Sequence, residues 1–227
     1  MPEFLNVWLP NVTEKWNELL EACGQTLLMV GVAGLVSFLF GLLLGVILTI
    51  TKKHGIMEKL PIYHLLDKVI NVFRSIPFII LLTALFPFTR LIVGTAIGTK
   101  GAMLPLIIGT TPFFARQIET ALSELDQGLV EAAQSMGDGT LQIIYRIYLR
   151  ESIPSIARAV TITFVNLVGL TAMAGAVGGG GLGNFAISYG PQRNQPDIIF
   201  VVVLLLLLLV SLIQGAGGII VKKTSHI

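Results

Sequence analysis

The sequence predicts an all-α, polytopic membrane protein with five transmembrane helices, and three observations predict it. Only 12% of the 227 residues are charged, against about 25% in a soluble domain, too few to cover a water-facing surface. Hydrophobic residues make up 54% and mean hydropathy is +0.83. The apolar residues are gathered into runs near the ~20 residues that a helix needs to cross the hydrocarbon core.

Between Glu21 and Lys52 no charge occurs, which predicts span 1 over residues 25–50, long enough to cross with tilt. Span 2 is predicted over 63–86, with Asp67, Lys68 and Arg74 in its first half. Span 3, over 101–121, carries the weakest signal because Arg116 and Glu119 occupy its far end. Span 4, over 153–176, opens on Ser152 and Pro154, a polar cap and a first-turn proline. Span 5, over 198–221, contains Val201-Val-Val-Leu-Leu-Leu-Leu-Leu-Leu-Val210.

Basic residues orient these spans. With the N-terminus outside, the inner side receives Lys52, Lys53, Lys59, Lys68, Arg74, Arg116, Arg146, Arg150, Arg158, Lys222 and Lys223. Lys15, Arg90, Lys100 and Arg193 fall outside, and an odd number of spans puts the C-terminus inside. Trp8 and Trp16 suit the outer interface. The first residues lack the basic n-region of a secretory signal. The single cysteine, Cys23, permits no intrachain disulfide. No internal repeat is visible, which argues against repeat-built secondary transporters. Gly41-Leu-Leu-Leu-Gly45 is a small-xxx-small step, read as lateral packing in one bundle or as a dimerising face. The whole chain reads as one membrane domain, with its core over about 25–221.

The polar interval over 124–152 is too patterned for a loose loop. Leu129, Ala133 and Met136 recur at helical spacing, with Glu131 and Gln134 off that stripe. Ala132 and Ala133 are small enough to let another surface approach. Gly137-Asp138-Gly139 breaks the helix, and Thr140 can cap a second one. There Leu141, Ile144, Tyr145, Tyr148 and Leu149 form an apolar face. Two short helices around a glycine turn on the inner side make a docking element. An interfacial amphipathic helix without a partner is the bland alternative, but Glu124, Asp126, Glu131 and Asp138 make the element acidic, whereas lipid-bound helices carry a basic face.

Glu131-Ala-Ala-Gln-Ser-Met-Gly137, with Ile147 and Leu149 about ten residues on, resembles the E-A-A loop of permeases from binding-protein-dependent ATP-binding-cassette importers. Arg150 stands where that pattern usually has proline. Three further stretches resemble the amino-acid importers, closest to the methionine-import branch: Asn71-Val-Phe-Arg-Ser-Ile-Pro-Phe-Ile-Ile-Leu-Leu82, Pro87-Phe-Thr-Arg-Leu-Ile-Val-Gly-Thr95 and Ala172-Met-Ala-Gly-Ala-Val-Gly-Gly-Gly-Gly-Leu-Gly183. The resemblance implies a coupling helix, with Glu131, Ala132, Ala133, Met136 and Gly137 set in a groove of an ATPase subunit.

Individual residues carry two readings each. Arg74 either shapes the inner mouth of a pathway or snorkels to the inner headgroups. Pro77 kinks span 2 and frees a carbonyl, in a moving element or a static one. Met173, flanked by Gly169, Ala172, Ala174 and Gly175, either packs in the bundle or plugs a narrow path; the resemblance implies the outer gate. Residues 178–183 satisfy the dinucleotide fingerprint formally but lack its strand and acidic partner. A re-entrant turn or flexible outer loop fits better, with Tyr189, Gln192, Arg193 and Asn194 available to contact a substrate-binding protein. His54, His64 and His226 show no metal-ligand spacing, and no cofactor or nucleic acid is expected.

The chain has no Walker A sequence. Beside a docking element, that points to ATP hydrolysis on a separate subunit, so the chain itself is not expected to be an enzyme. The resemblance implies a homodimeric importer permease in the cell membrane, served by an external binding protein, with methionine the favoured cargo. Another amino acid or small polar solute is the alternative within transport. A self-contained channel or ion-coupled carrier would need ionisable groups mid-span, and spans 1, 4 and 5 have none there.

Overall fold

A computed structural model of the chain describes residues 9–225; Trp8 and His226 lie outside the described residues. All regular structure among those residues is helical. In chain order the helices are α1 Pro10–Glu14, α2 Trp16–Thr51, α3 Leu60–Ser75, α4 Phe78–Ala84, α5 Phe86–Val93, α6 Gly98–Ser123, α7 Gln127–Ser135, α8 Thr140–Ile143, a π-helical turn Ile144–Leu149, α9 Ile153–Ala176, α10 Gly181–Tyr189 and α11 Pro196–Thr224.

Three helices, α2, α9 and α11, are long and apolar enough to cross a membrane. A fourth candidate is α5 with α6, bent by 116° at the break between them. The bend has a local cause. Gly94 ends α5 in the left-handed region at φ +84° and Gly98 opens α6 at φ +76°, conformations that cost a side chain about 1–2 kcal/mol. Span 4 coincides with α9, and span 3 lies inside α6. Span 1 begins earlier than predicted, because the turns from Trp16 to Gly24 are helical too.

Predicted span 2 is not one helix. Ile76 is extended at ψ 123° between α3 and α4, and Pro77 caps α4. Proline clashes with a helical residue before it, so the expected kink is a full break. A second interruption at Leu85 precedes Pro87.

The chain forms two compact units. One gathers the chain through Leu35 with Pro77–Ile108 and Phe164–Ile213. Its core joins Met29, Ala33, Leu106, Leu167 and Ala174, all fully buried. At its other cluster Leu19, Leu182, Phe185 and Ile198 pack together. The Asn11 backbone N–H and Nδ2 donate to the Asp197 carboxylate at 3.1 and 2.9 Å, tying α1 to the first turn of α11.

The second unit gathers Val36–Ile76, Gly109–Thr163 and the chain from Gln214. Here the small-xxx-small step serves lateral packing. A Cβ on Gly41 would sit 2.5 Å from Phe114 Cδ1, and one on Gly45 2.6 Å from Ile118 Cβ. Asp67 of predicted span 2 meets Arg116 and Glu119, the two residues that weakened span 3. Arg116 Nη2 donates to Asp67 Oδ1 at 2.5 Å and to Asn71 Oδ1 at 3.1 Å, while Nη1 donates to Glu119 Oε2 at 2.5 Å. Buried charge is tolerated when paired in this way. Some hydroxyls in the long helices satisfy themselves locally, as Thr49 Oγ1 does by donating to the Gly45 carbonyl at 2.9 Å.

Candidate functional site

The docking element predicted over 124–152 is two short helices around a glycine turn. Asp126 starts α7 as an N-cap, its Oδ1 accepting from the Gly128 N–H at 2.9 Å. The end of α7 is a Schellman turn. The Gly137 N–H donates to the Gln134 carbonyl at 3.0 Å and the Asp138 N–H to the Ala133 carbonyl at 3.1 Å. That closure requires a left-handed residue, and Gly137 supplies it at φ +85°. The second helix departs from expectation at its start: Gly139 is the cap, and Thr140 is the first helical residue. Two side chains anchor the element's ends. Lys52 Nζ donates to Ser123 Oγ at 2.8 Å, and Ser155 Oγ donates to Glu124 Oε2 at 2.7 Å.

The inner face of the element is Val130, Ala133, Ile143 and Tyr148, packed with Phe114, Ile118, Leu122 and Ala159. Burial also pushes the Tyr148 phenol above the usual tyrosine range. The predicted stripe is thereby corrected: Ala133 is in the core, but Leu129 and Met136 point outward. Met136 is 77% exposed, Leu141 82% and Tyr145 72%. Glu131 and Ala132 are exposed as well. The predicted apolar face of the second helix likewise splits, with Tyr148 inside and Leu141 and Tyr145 outside. Four large apolar side chains, Leu129, Met136, Leu141 and Tyr145, therefore stand uncovered on a rigidly capped element. Apolar residues held out in this way form the kind of patch that another protein or a membrane surface covers.

On α9, Met173 is 51% exposed, so it does not fill this chain's own core. Asn166, Gly169 and Ala176 are exposed at the same helical spacing, while Leu167, Val168, Thr171 and Ala174 face inward. The small residues around Met173 have different jobs. A Cβ on Gly169 would meet nothing within 4 Å, whereas one on Gly175 would lie 2.4 Å from the Asn184 N atom. Gly175 thus admits α10 close to α9.

The stretch 178–183 is a tight turn leading into α10, with positive φ at Gly178, Gly180 and Gly181. It is not a flexible loop. Gly181 N–H donates to Gln25 Oε1 at 2.7 Å and Leu182 N–H to Thr26 Oγ1 at 2.8 Å. The backbone donors that a phosphate would use are occupied by α2.

Beyond α10, the Tyr189 ring lies under the Arg193 guanidinium at 4.5 Å and the Lys15 ammonium at 5.1 Å. Its hydroxyl donates to the Glu18 carboxylate, and that bond holds the phenol above the usual tyrosine range. Gln192 and Arg193 are exposed. Lys15, which caps the end of α1, and Glu18 of α2 join this cluster, which no spacing in the sequence indicated. Arg74 is exposed in the last turn of α3 and makes no ion pair among the described residues. Among the same residues no three His, Cys, Asp or Glu side chains form a metal-binding group.

Residues 41–226 match the model of a family described as binding-protein-dependent transport system inner membrane component. The chain is 53% identical over 208 residues to the probable D-methionine transport system permease protein MetI of Vibrio cholerae, covering 92% of each chain. It is 42% identical to the methionine import system permease protein MetP of Bacillus subtilis, over 94% of this chain and 95% of that one. Among solved structures it is similar to a chain of the MetNI methionine ABC transporter in inward-facing conformations. That match has a TM-score of 0.90 and 43% identity, covering 92% of this chain and 97% of that one.

Proposed function

Because the chain belongs to the family of binding-protein-dependent transport system inner membrane components, we propose that it is the permease subunit of an ATP-driven methionine importer. It is a multi-pass membrane protein that carries no ATPase site; hydrolysis belongs to a separate subunit. Two copies form the path, and an extracytoplasmic binding protein delivers methionine of D or L configuration to it. Relatives named for methionine import at 42–53% identity over nearly the whole chain support the cargo.

The chain acts as a single permease domain with a core over about 25–221 and five spans, the second broken at Pro77. Its N-terminus is outside and its C-terminus inside, as the eleven-to-four bias of basic residues favours. The observation that carries the mechanism is the uncovered apolar face on the element over 124–152. Leu129, Met136, Leu141 and Tyr145 fill a groove on the ATPase, with Glu131, Ala132 and Gly137 at the contact and Ala133 holding the helix to the core. Closure of two ATPases over ATP moves both elements together. That motion biases the spans between outward-open and inward-open states by differential binding energy.

Met173 from each copy closes the path on the outer side, the exposed Asn166 and Gly169 continuing the same face. Arg74 and Pro77 shape the inner mouth, where the helix break gives the chain a hinge. Tyr189, Gln192 and Arg193 receive the binding protein, with Lys15 and Glu18 fixing the Tyr189 ring. The test is uptake of labelled methionine by a strain lacking its own importer. Restoration by this chain together with its ATPase, and not by the chain alone, is the expected outcome.

A further inference from the structure

The first turns of α9 and the last turns of α11 wall a groove of about 550 Å³ in the second unit. Its lining includes Arg158, Thr161, Ile162, Gln214, Gly218 and Lys222. Two glycines shape it. A Cβ on Gly217 would stand 1.9 Å from Thr161 Oγ1, so that glycine draws the helices together, while a Cβ on Gly218 would meet nothing. Among the described residues neither Arg158 nor Lys222 makes an ion pair or hydrogen bond, and no carboxylate of those residues lines the groove.

We propose that this groove binds an anionic phospholipid of the inner leaflet, its phosphate held between Arg158 and Lys222. The inference rests on the orientation proposed above, which sets both cations at the inner headgroup level. Two cations without a counter-ion at the mouth of an apolar groove attract an anion. The surroundings select a lipid over a free ion. Ile162 at the groove and Ile219 and Ile220 beside it are exposed, and α11 leaves most of its apolar length uncovered. Acyl chains therefore have a surface to lie on next to the charge. Gln214, about 12 Å along α11 from Lys222, supplies an amide donor farther along the groove. The Thr161 hydroxyl is already spent on the Ala157 carbonyl at 2.8 Å.

The experiment titrates the chain, delipidated in detergent, with phosphatidylglycerol and with phosphatidylcholine of matched acyl chains, counting bound lipid by native mass spectrometry. Phosphatidylglycerol is expected to bind more tightly, and the R158Q/K222Q double variant to lose about 30-fold in affinity, the factor expected of two headgroup-level cations. Gly218→Leu keeps both cations and starts its side chain in open space at the groove, so it should weaken binding comparably in a folded protein. Inorganic phosphate should leave the lipid in place. Equal affinity for the two lipids, unchanged binding in both variants, or displacement by millimolar phosphate would overturn the proposal. Binding is measured without ATPase or transport, so failure here is separable from failure of the importer reading.

Discussion

Arg116 of α6 sets its guanidinium 2.5 Å from the carboxylate of Asp67 on α3, 49 positions away in sequence. The same guanidinium holds Glu119 one turn on. Each charge lies partly buried in its helix and is tolerated there because the other is its partner. Asp67→Ala removes one acceptor from a guanidinium that is only partly solvated, and is expected to lower stability by about 2 kcal/mol. Arg116→Ala should cost more, since it strands two carboxylates, of which Glu119 is nearly buried. Thermal unfolding in detergent measures both.

Gly41 and Gly24 lie on the same helix and differ in what a methyl group would touch. At Gly41 it would collide with Phe114, whereas at Gly24 it would meet nothing within 4 Å. Gly41→Ala is therefore expected to destabilise the protein by about 2 kcal/mol. Gly24→Ala should be neutral or stabilising by up to about 1 kcal/mol through helix propensity. Unfolding midpoints of the two variants compare these effects directly.

Gly137 closes α7 at φ +85° with open space around it. Gly137→Ala carries only the backbone cost of the left-handed region, about 1 kcal/mol, so the variant should insert and fold. Its effect should appear in function, because tilting α7 moves Met136 and Glu131 off their partner surface. ATP-driven uptake is expected to fall several-fold while the amount of inserted protein is unchanged. Glu131→Ala tests the same surface without touching the backbone.

Met173 stands half-exposed at the centre of the α9 face formed by Asn166, Gly169 and Ala176. Met173→Cys is expected to form a cross-link between two copies, with a yield that depends on the nucleotide state. Absence of a cross-link in every state would remove Met173 from the pathway axis.

The legible parts of the fold are those governed by local chemistry. Residues 153–176 were recognisable because a long apolar run with a proline in its first turn marks a helix and where it starts, and Gly137 because a glycine after a short helix signals its end. Span 2 misled because hydropathy runs smoothly across Ile76 and Pro77, although the backbone there cannot. Helical spacing groups Leu129, Ala133 and Met136, yet only Ala133 is buried; a short helix can bury one apolar stripe and leave another exposed, and spacing alone does not label which is which. Contacts across long separations, such as Gln25 with Gly181 or Arg116 with Asp67, leave no local pattern at all.

Proteoliposomes settle the central claim most directly. Vesicles containing this chain would be loaded with ATP and supplied externally with binding protein and labelled methionine, with and without the ATPase subunit. Accumulation only with the ATPase present, abolished by the pair Leu141→Asp and Tyr145→Asp, is the expected result. Accumulation by the chain alone, or undiminished uptake in that variant, would contradict a docking surface at the element over 124–152.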